Sequence, residues 1–128
     1  RQAGAARLFQ GTDGYADGEQ RRDFIYVGDT VNVNLWLLAH AEVSGIFNVG
    51  TGQSQSFNEV ARTVIQGLGA GRIEYIPFPD KLKGRYQSLT EADITGLRAA
   101  GFDGTFKTVQ EGVLEYLRVL SQDPVTLL

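Results

Sequence analysis

The residues best equipped for chemistry gather in one short stretch. Pro77 to Gln87 reads PFPDKLKGRYQ and places three cations, Lys81, Lys83 and Arg85, within five positions of a chain whose formal net charge is −3. Two prolines fix φ and remove ladder donors, so the segment is expected to be an ordered loop, and Gly84 lets it turn just before Arg85 and Tyr86. A guanidinium holds phosphate through paired hydrogen bonds, lysines add positive potential, and a tyrosine ring both stacks and donates. That set suits an anion carried on a flat ring; an exposed, solubilising loop is the plain alternative. A second cationic pair, Arg21-Arg22, is of a kind more often solvated than functional. Here it runs straight into Asp23-Phe24 and apolar sequence, which makes Arg22 a candidate anion contact at the core surface.

Other chemistry-bearing residues read more blandly. Gly50-Thr51-Gly52 lies between an expected strand and helix, but Gln55 stands where a dinucleotide fingerprint needs its third glycine, so a tight turn is the reading. His40 falls near an expected helix C-terminus, a structural place for a cation. Asp13, Asp17 and Glu19 have no metal-ligand spacing and read as solvated. No serine or lysine sits beside a base and no tyrosine is followed four residues later by lysine, so the chain carries no catalytic constellation of its own.

Positioning these residues requires an α/β framework. Leu8 to Thr12 reads as a short extended run, Phe24 to Val27 as an apolar strand ended by Gly28, and Gly45 to Gly50 as a buried strand between glycines. Asp29 or Thr30 is expected to cap a helix running to about His40. Val31, Leu35 and Leu38 on one side with Val33, Trp36 and Leu37 on the other make it apolar nearly all round, as for a helix held between layers. Ser56-Phe57-Asn58-Glu59 is a capping box opening an amphipathic helix stopped by glycines, and Ile73 to Ile76 alternates as a half-buried strand. Thr90 to Asp93 and Thr108 to Glu111 repeat the box pattern before two further helices, and Asp123-Pro124 begins a tail. The order β, α, β, α, β, loop, α, α predicts an α/β chain with three or four strands.

Size and composition bound the answer. At 128 residues, 42% hydrophobic and 21% charged, this is material for one globular domain. No apolar run approaches the roughly 18 residues of a membrane span, and no leader pattern is present. The absence of cysteine removes disulfides and thiolate ligands and fits a reducing, cytoplasmic setting, while an acidic balance argues against general nucleic-acid binding. The opening at Arg1 without methionine reads as a fragment.

Taken together, RDFIYVGD (Arg22 to Asp29), VNLWLL (Val33 to Leu38), VSGIFNVGTG (Val43 to Gly52), IEYIPFPDKLKGRYQ (Ile73 to Gln87), LRAAGFD (Leu97 to Asp103) and FKTVQEGVLEYL (Phe106 to Leu117) resemble the C-terminal half of extended short-chain dehydrogenases/reductases acting on nucleotide sugars. PFPDKLKGRYQ is the most specific of these, pointing to the branch that inverts C6 of an ADP-linked heptose for the lipopolysaccharide core. The resemblance implies an NADP-dependent epimerase in which a Rossmann domain, absent from this chain, holds the cofactor and supplies a Tyr-x-x-x-Lys pair. Hydride would leave C6 and return to its other face. This chain would then be the lobe that grips the ADP-sugar, through Phe9, Gln10, Gly11, Thr12, Arg22 and Tyr86, in a homo-oligomer of pentameric type. It further implies that the helix near Asp29 and the strand at Ile46 to Val49 pack onto the Rossmann domain. Two other readings stay open: the same half of another sugar-nucleotide epimerase or dehydratase, and a free-standing, non-catalytic nucleotide-sugar module.

Overall fold

The computed structural model describes residues 4–122; the tail expected at Asp123-Pro124 lies outside them. Ala5–Phe9 (β1) and Arg72–Ile76 (β4) pair in parallel from Ala5 opposite Arg72 to Phe9 opposite Ile76. The first strand thus begins earlier than Leu8, and Gln10 N–H extends its ladder to the Ile76 carbonyl at 2.8 Å. Between them in sequence, Arg21–Arg22 (β2) and Gln55–Ser56 (β3) form a two-residue antiparallel pair. Helix Val27–Ala39 (α1) follows β2, Phe57–Leu68 (α2) follows β3, and a 3-10 turn at Asp80–Leu82 sits inside the proline loop. Thr95–Ala99 (α3) and Val109–Gln122 (α4) complete the order. The α/β class holds, with four short strands in two sheets among the described residues.

Two capping boxes form as the sequence predicts. Ser56 and Glu59 exchange hydrogen bonds at the head of α2, which ends on Gly69 at φ 70°, and Thr108 and Glu111 do the same for α4. The third does not form: the Asp93 carboxylate accepts from Thr95 N–H at 2.9 Å rather than exchanging bonds with Thr90, and α3 starts only after Ile94.

Two expected strands are also absent. In this stretch, among the described residues, only Arg21 and Arg22 have ladder partners, so Phe24 to Tyr26 are irregular and α1 already begins at Val27, with Gly28 in its first turn. Asp29 does not cap that helix; it is buried within the first turn, where its carboxylate receives Lys107 N–H at 2.7 Å. Gly45 to Gly50 keeps the alternation of a strand, Phe47 and Val49 packing inward while Ile46 is fully exposed, yet no neighbouring strand completes a ladder among the described residues.

The core is small. Val33, Leu97 and Phe102 are buried, with Trp36, Leu37, Phe47, Val49 and Phe106 packed around them. This covers one side of α1 only. Its other stripe, Val27, Val31, Leu35 and Leu38, faces outward, Leu38 at 80% exposure, so the expectation of a helix covered on both sides fails for the chain by itself. Gly112 of α4 lets the opposite end of α1 approach, since a Cβ there would lie 3.2 Å from the Tyr26 side chain.

Candidate functional site

The site is built on strand alternation. Successive side chains of an extended segment point to opposite faces, so Arg22 leaves one face while Arg21 and Asp23 leave the other. The Arg22 guanidinium lies 4.8 Å from the centroid of the Tyr86 ring and 5.9 Å from that of Phe57, the first residue of α2. Tyr86 in turn meets Phe78 edge-on at 5.3 Å and Phe9 at 6.4 Å, and Phe9 meets Phe78 at 5.4 Å. A cation over an aromatic face is held by about 0.5–2 kcal/mol. Among the described residues Arg22 makes one hydrogen bond, from Nη1 to the Arg21 carbonyl at 2.8 Å, which leaves most of its fork to an anion. A cavity of about 230 Å³ opens beside it, lined by Arg7, Leu8, Phe9, Gln20, Phe57 and Tyr86.

Of the expected residues, Phe9, Arg22 and Tyr86 therefore share one cluster. Gln10, Gly11 and Thr12 lead away from it along a turn held by several backbone hydrogen bonds. The buried Gln20 side chain donates to the Gln10 carbonyl at 2.9 Å, Gly11 N–H donates to Asp17 at 2.8 Å, and Tyr15 N–H donates to the Thr12 carbonyl at 3.0 Å. Gly11 has no room for a side chain: a Cβ would lie 2.1 Å from the Tyr15 carbonyl oxygen. The acids expected to be solvated do lie at the surface, Asp13 and Asp17 exposed and Glu19 half-buried, and each also makes a structural bond. Asp17 orders Gly11, Asp13 accepts from Ser88 Oγ at 2.6 Å, and Glu19 accepts from the buried Asn58 amide at 2.5 Å.

The proline loop behaves differently at its two ends. Gly84, at φ 70°, reverses the chain so that Arg85 and Tyr86 N–H both point at the Leu82 carbonyl, and Tyr86 turns inward. The cations do not follow it. Lys83 pairs with Asp80 at 2.7 Å, and that ammonium, by hydrogen bond and charge, draws the Asp80 carboxyl below its ordinary range. Lys81 and Arg85 are exposed. Positive charge within the aromatic cluster thus comes from Arg22, not from the loop whose composition advertised it. His40 is structural, stacked on Trp36 at 4.5 Å with Nδ1 against the Trp36 carbonyl.

Sequence reasoning missed Phe57, Phe78 and above all Asp23. The Asp23 carboxylate accepts from Thr51 N–H (2.8 Å), Thr51 Oγ1 (2.5 Å), Gly52 N–H (2.9 Å) and Ala92 N–H (3.1 Å). Burial alone would raise its pKa; the bonds from the Thr51 side chain and from the Thr51, Ala92 and Gly52 amides outweigh burial and hold it below the usual carboxylate value. The sequence shows an acid after Arg22 and a Gly-Thr-Gly turn rich in amides, but nothing in their spacing pairs the two. Those amides also decide the cofactor question for this segment. With Thr51 and Gly52 N–H spent on Asp23, the turn that resembles a dinucleotide loop has nothing left to offer a pyrophosphate, and these residues do not fit NADP.

The α/β fold is shared with extended short-chain dehydrogenases/reductases, and the model of the NAD dependent epimerase/dehydratase family matches residues 3–50 of this chain. More particularly, the chain is similar to ADP-L-glycero-D-manno-heptose-6-epimerase of Alkalilimnicola ehrlichii, 56% identical over 127 residues that cover 99% of this chain and 40% of the relative. The enzyme of the same name from Thiobacillus denitrificans is 50% identical over 137 residues, 95% of this chain and 41% of the relative. The crystal structure of Helicobacter pylori ADP-L-glycero-D-manno-heptose-6-epimerase shares the fold, with a TM-score of 0.68 at 22% identity over 95% of this chain and 45% of that one. The chain spans about two fifths of the length of these curated relatives.

Proposed function

We propose that this chain is the substrate-gripping C-terminal part of an ADP-L-glycero-D-manno-heptose 6-epimerase, an isomerase of lipopolysaccharide core biosynthesis acting in the cytoplasm. The observation that carries the reading is the Arg22 guanidinium stacked on Tyr86 with its fork open, beside a cavity shaped by Phe9 and Phe57. A pyrophosphate is the anion that fork geometry suits, and an adjoining flat group suits aromatic walls. Names and identities of the relatives support ADP-heptose as the sugar nucleotide. In this reading Phe9, Gln10, Gly11, Thr12, Arg22 and Tyr86 contact substrate. NADP and the proton-transfer pair belong to a Rossmann domain preceding this segment, and the exposed stripe of α1 with the unpaired Gly45 to Gly50 segment packs against that domain. Assembly as a homo-oligomer, pentameric by resemblance, belongs to the same reading.

The test is nucleotide binding by the full-length protein. Arg22→Ala is expected to weaken ADP binding by roughly ten- to a hundredfold, the loss of a charge-assisted hydrogen bond of about 1.5–3 kcal/mol. An unchanged affinity, or a clear preference for uridine or thymidine diphosphate sugars over ADP-sugars, overturns the proposal, the second in favour of another sugar-nucleotide epimerase or dehydratase.

A further inference from the structure

We infer that Asp23 is a positioning residue for Arg22, clamping to one carboxylate the segments that carry both walls of the site; this rests on the reading of Arg22 as the phosphate contact. Three stretches meet at Asp23. Its own stretch carries Arg22, the Gly50 to Ser56 stretch leads directly into Phe57, and the Ser88 to Ala92 stretch follows Tyr86 after one residue, Gln87. Oδ1 takes the Thr51 amide and hydroxyl, while Oδ2 takes Gly52 and Ala92 N–H. Arg21, on the same face, repeats the stitching one step earlier. Its guanidinium donates to Ser54 Oγ at 3.2 Å and to the Ser54 carbonyl at 2.5 Å, and its backbone joins the Ser88 carbonyl and Thr90 N–H.

The consequence is geometric. Arg22 lies between two anchored neighbours, and the two rings that flank its guanidinium hang from the two stretches those neighbours hold. Slippage of either stretch would move a ring off the cation, and a 1 Å misplacement in a binding constellation is costly. The packing is tight enough to transmit such slippage. Gly50 is buried, and a Cβ there would stand 2.6 Å from Asp23 Oδ2 and 2.5 Å from Ala92 Cβ. An amide in place of the carboxylate would turn a donor toward two of the N–H groups, breaking half the clamp at nearly constant volume.

The experiment is a double-mutant cycle on the full-length protein with ADP as probe. Asp23→Asn is expected to weaken ADP binding about tenfold, but less than about twofold when Arg22 is already alanine, because nothing is then left to position. Gly50→Ala, which disturbs the clamp while leaving the carboxylate intact, is expected to behave alike. Should Asp23→Asn fail to fold, Thr51→Val removes a single donor, and a loss of about threefold that disappears in the Arg22→Ala background decides the point. Unchanged affinity in these variants, or losses that persist undiminished without Arg22, overturns the inference. An Arg22→Ala protein that binds ADP normally instead overturns the phosphate reading beneath it.

Discussion

At the scale of the residue, the Tyr86 ring matters more than its hydroxyl. Its recorded contacts are with the Arg22 cation and with Phe9 and Phe78, all through the ring. Tyr86→Phe should therefore keep ADP affinity within about threefold in the full-length protein, whereas Tyr86→Ala should lose roughly tenfold; isothermal titration distinguishes the two, and equal losses would place the function in the hydroxyl. Asp23 also sets a pH dependence. Its folded pKa lies below the ordinary 3.8, so its contribution to stability is complete above that value and is lost only as pH falls through the lowered one. Urea midpoints should accordingly owe no change to Asp23 between pH 7 and about 5, and Asp23→Asn should flatten the acid limb of the profile below that. Arg22 was legible as a candidate anion contact because an arginine entering apolar sequence is held near the surface of the core. Asp23 was not, because nothing local to it reveals that Thr51, Gly52 and Ala92 would aim their amides at one point.

At the scale of the element, capping rules read well and ladders read poorly. The Ser56 box closes at the head of α2 with both reciprocal bonds present, so Ser56→Ala should destabilise by about 1 kcal/mol, measured as a lower denaturation midpoint at constant m-value. This helix also positions Phe57, its first residue, so the same variant should loosen ADP binding modestly. A capping box needs only four consecutive residues, which is why two of three were correctly placed. The third failed because the Asp93 carboxylate is taken by Thr95 two residues on, a competing local turn; a strand, by contrast, exists only where a distant partner lies alongside. Phe24 to Val27 and Gly45 to Gly50 have strand composition but no ladder partner among the described residues, so they are not strands here.

At the scale of the whole molecule, α1 states what the chain lacks. Val31, Leu35 and Leu38 repeat along a face turned to solvent, and the fully exposed Ile46 adds to the uncovered apolar surface. Such a surface drives association unless something covers it. The isolated chain is expected to self-associate in sedimentation or size-exclusion measurements, and Leu35→Lys with Leu38→Lys should reduce this. In the full-length protein, where the proposed Rossmann domain would cover the face, the same pair should destabilise instead. A monomeric isolated chain would count against the covering domain and for a free-standing module.

The sequence by itself determined the α/β class, two of the three capping boxes, the proline loop, and the candidacy of Arg22, because each depends on residues close together along the chain. Only the tertiary structure decided that Lys81 and Arg85 point away from the aromatic cluster, that Phe57 backs Arg22, and that one carboxylate holds three stretches in register. Hydrogen-bond donors and aromatic faces acquire a common target only when distant segments are folded together, and spacing along the chain does not encode where they meet.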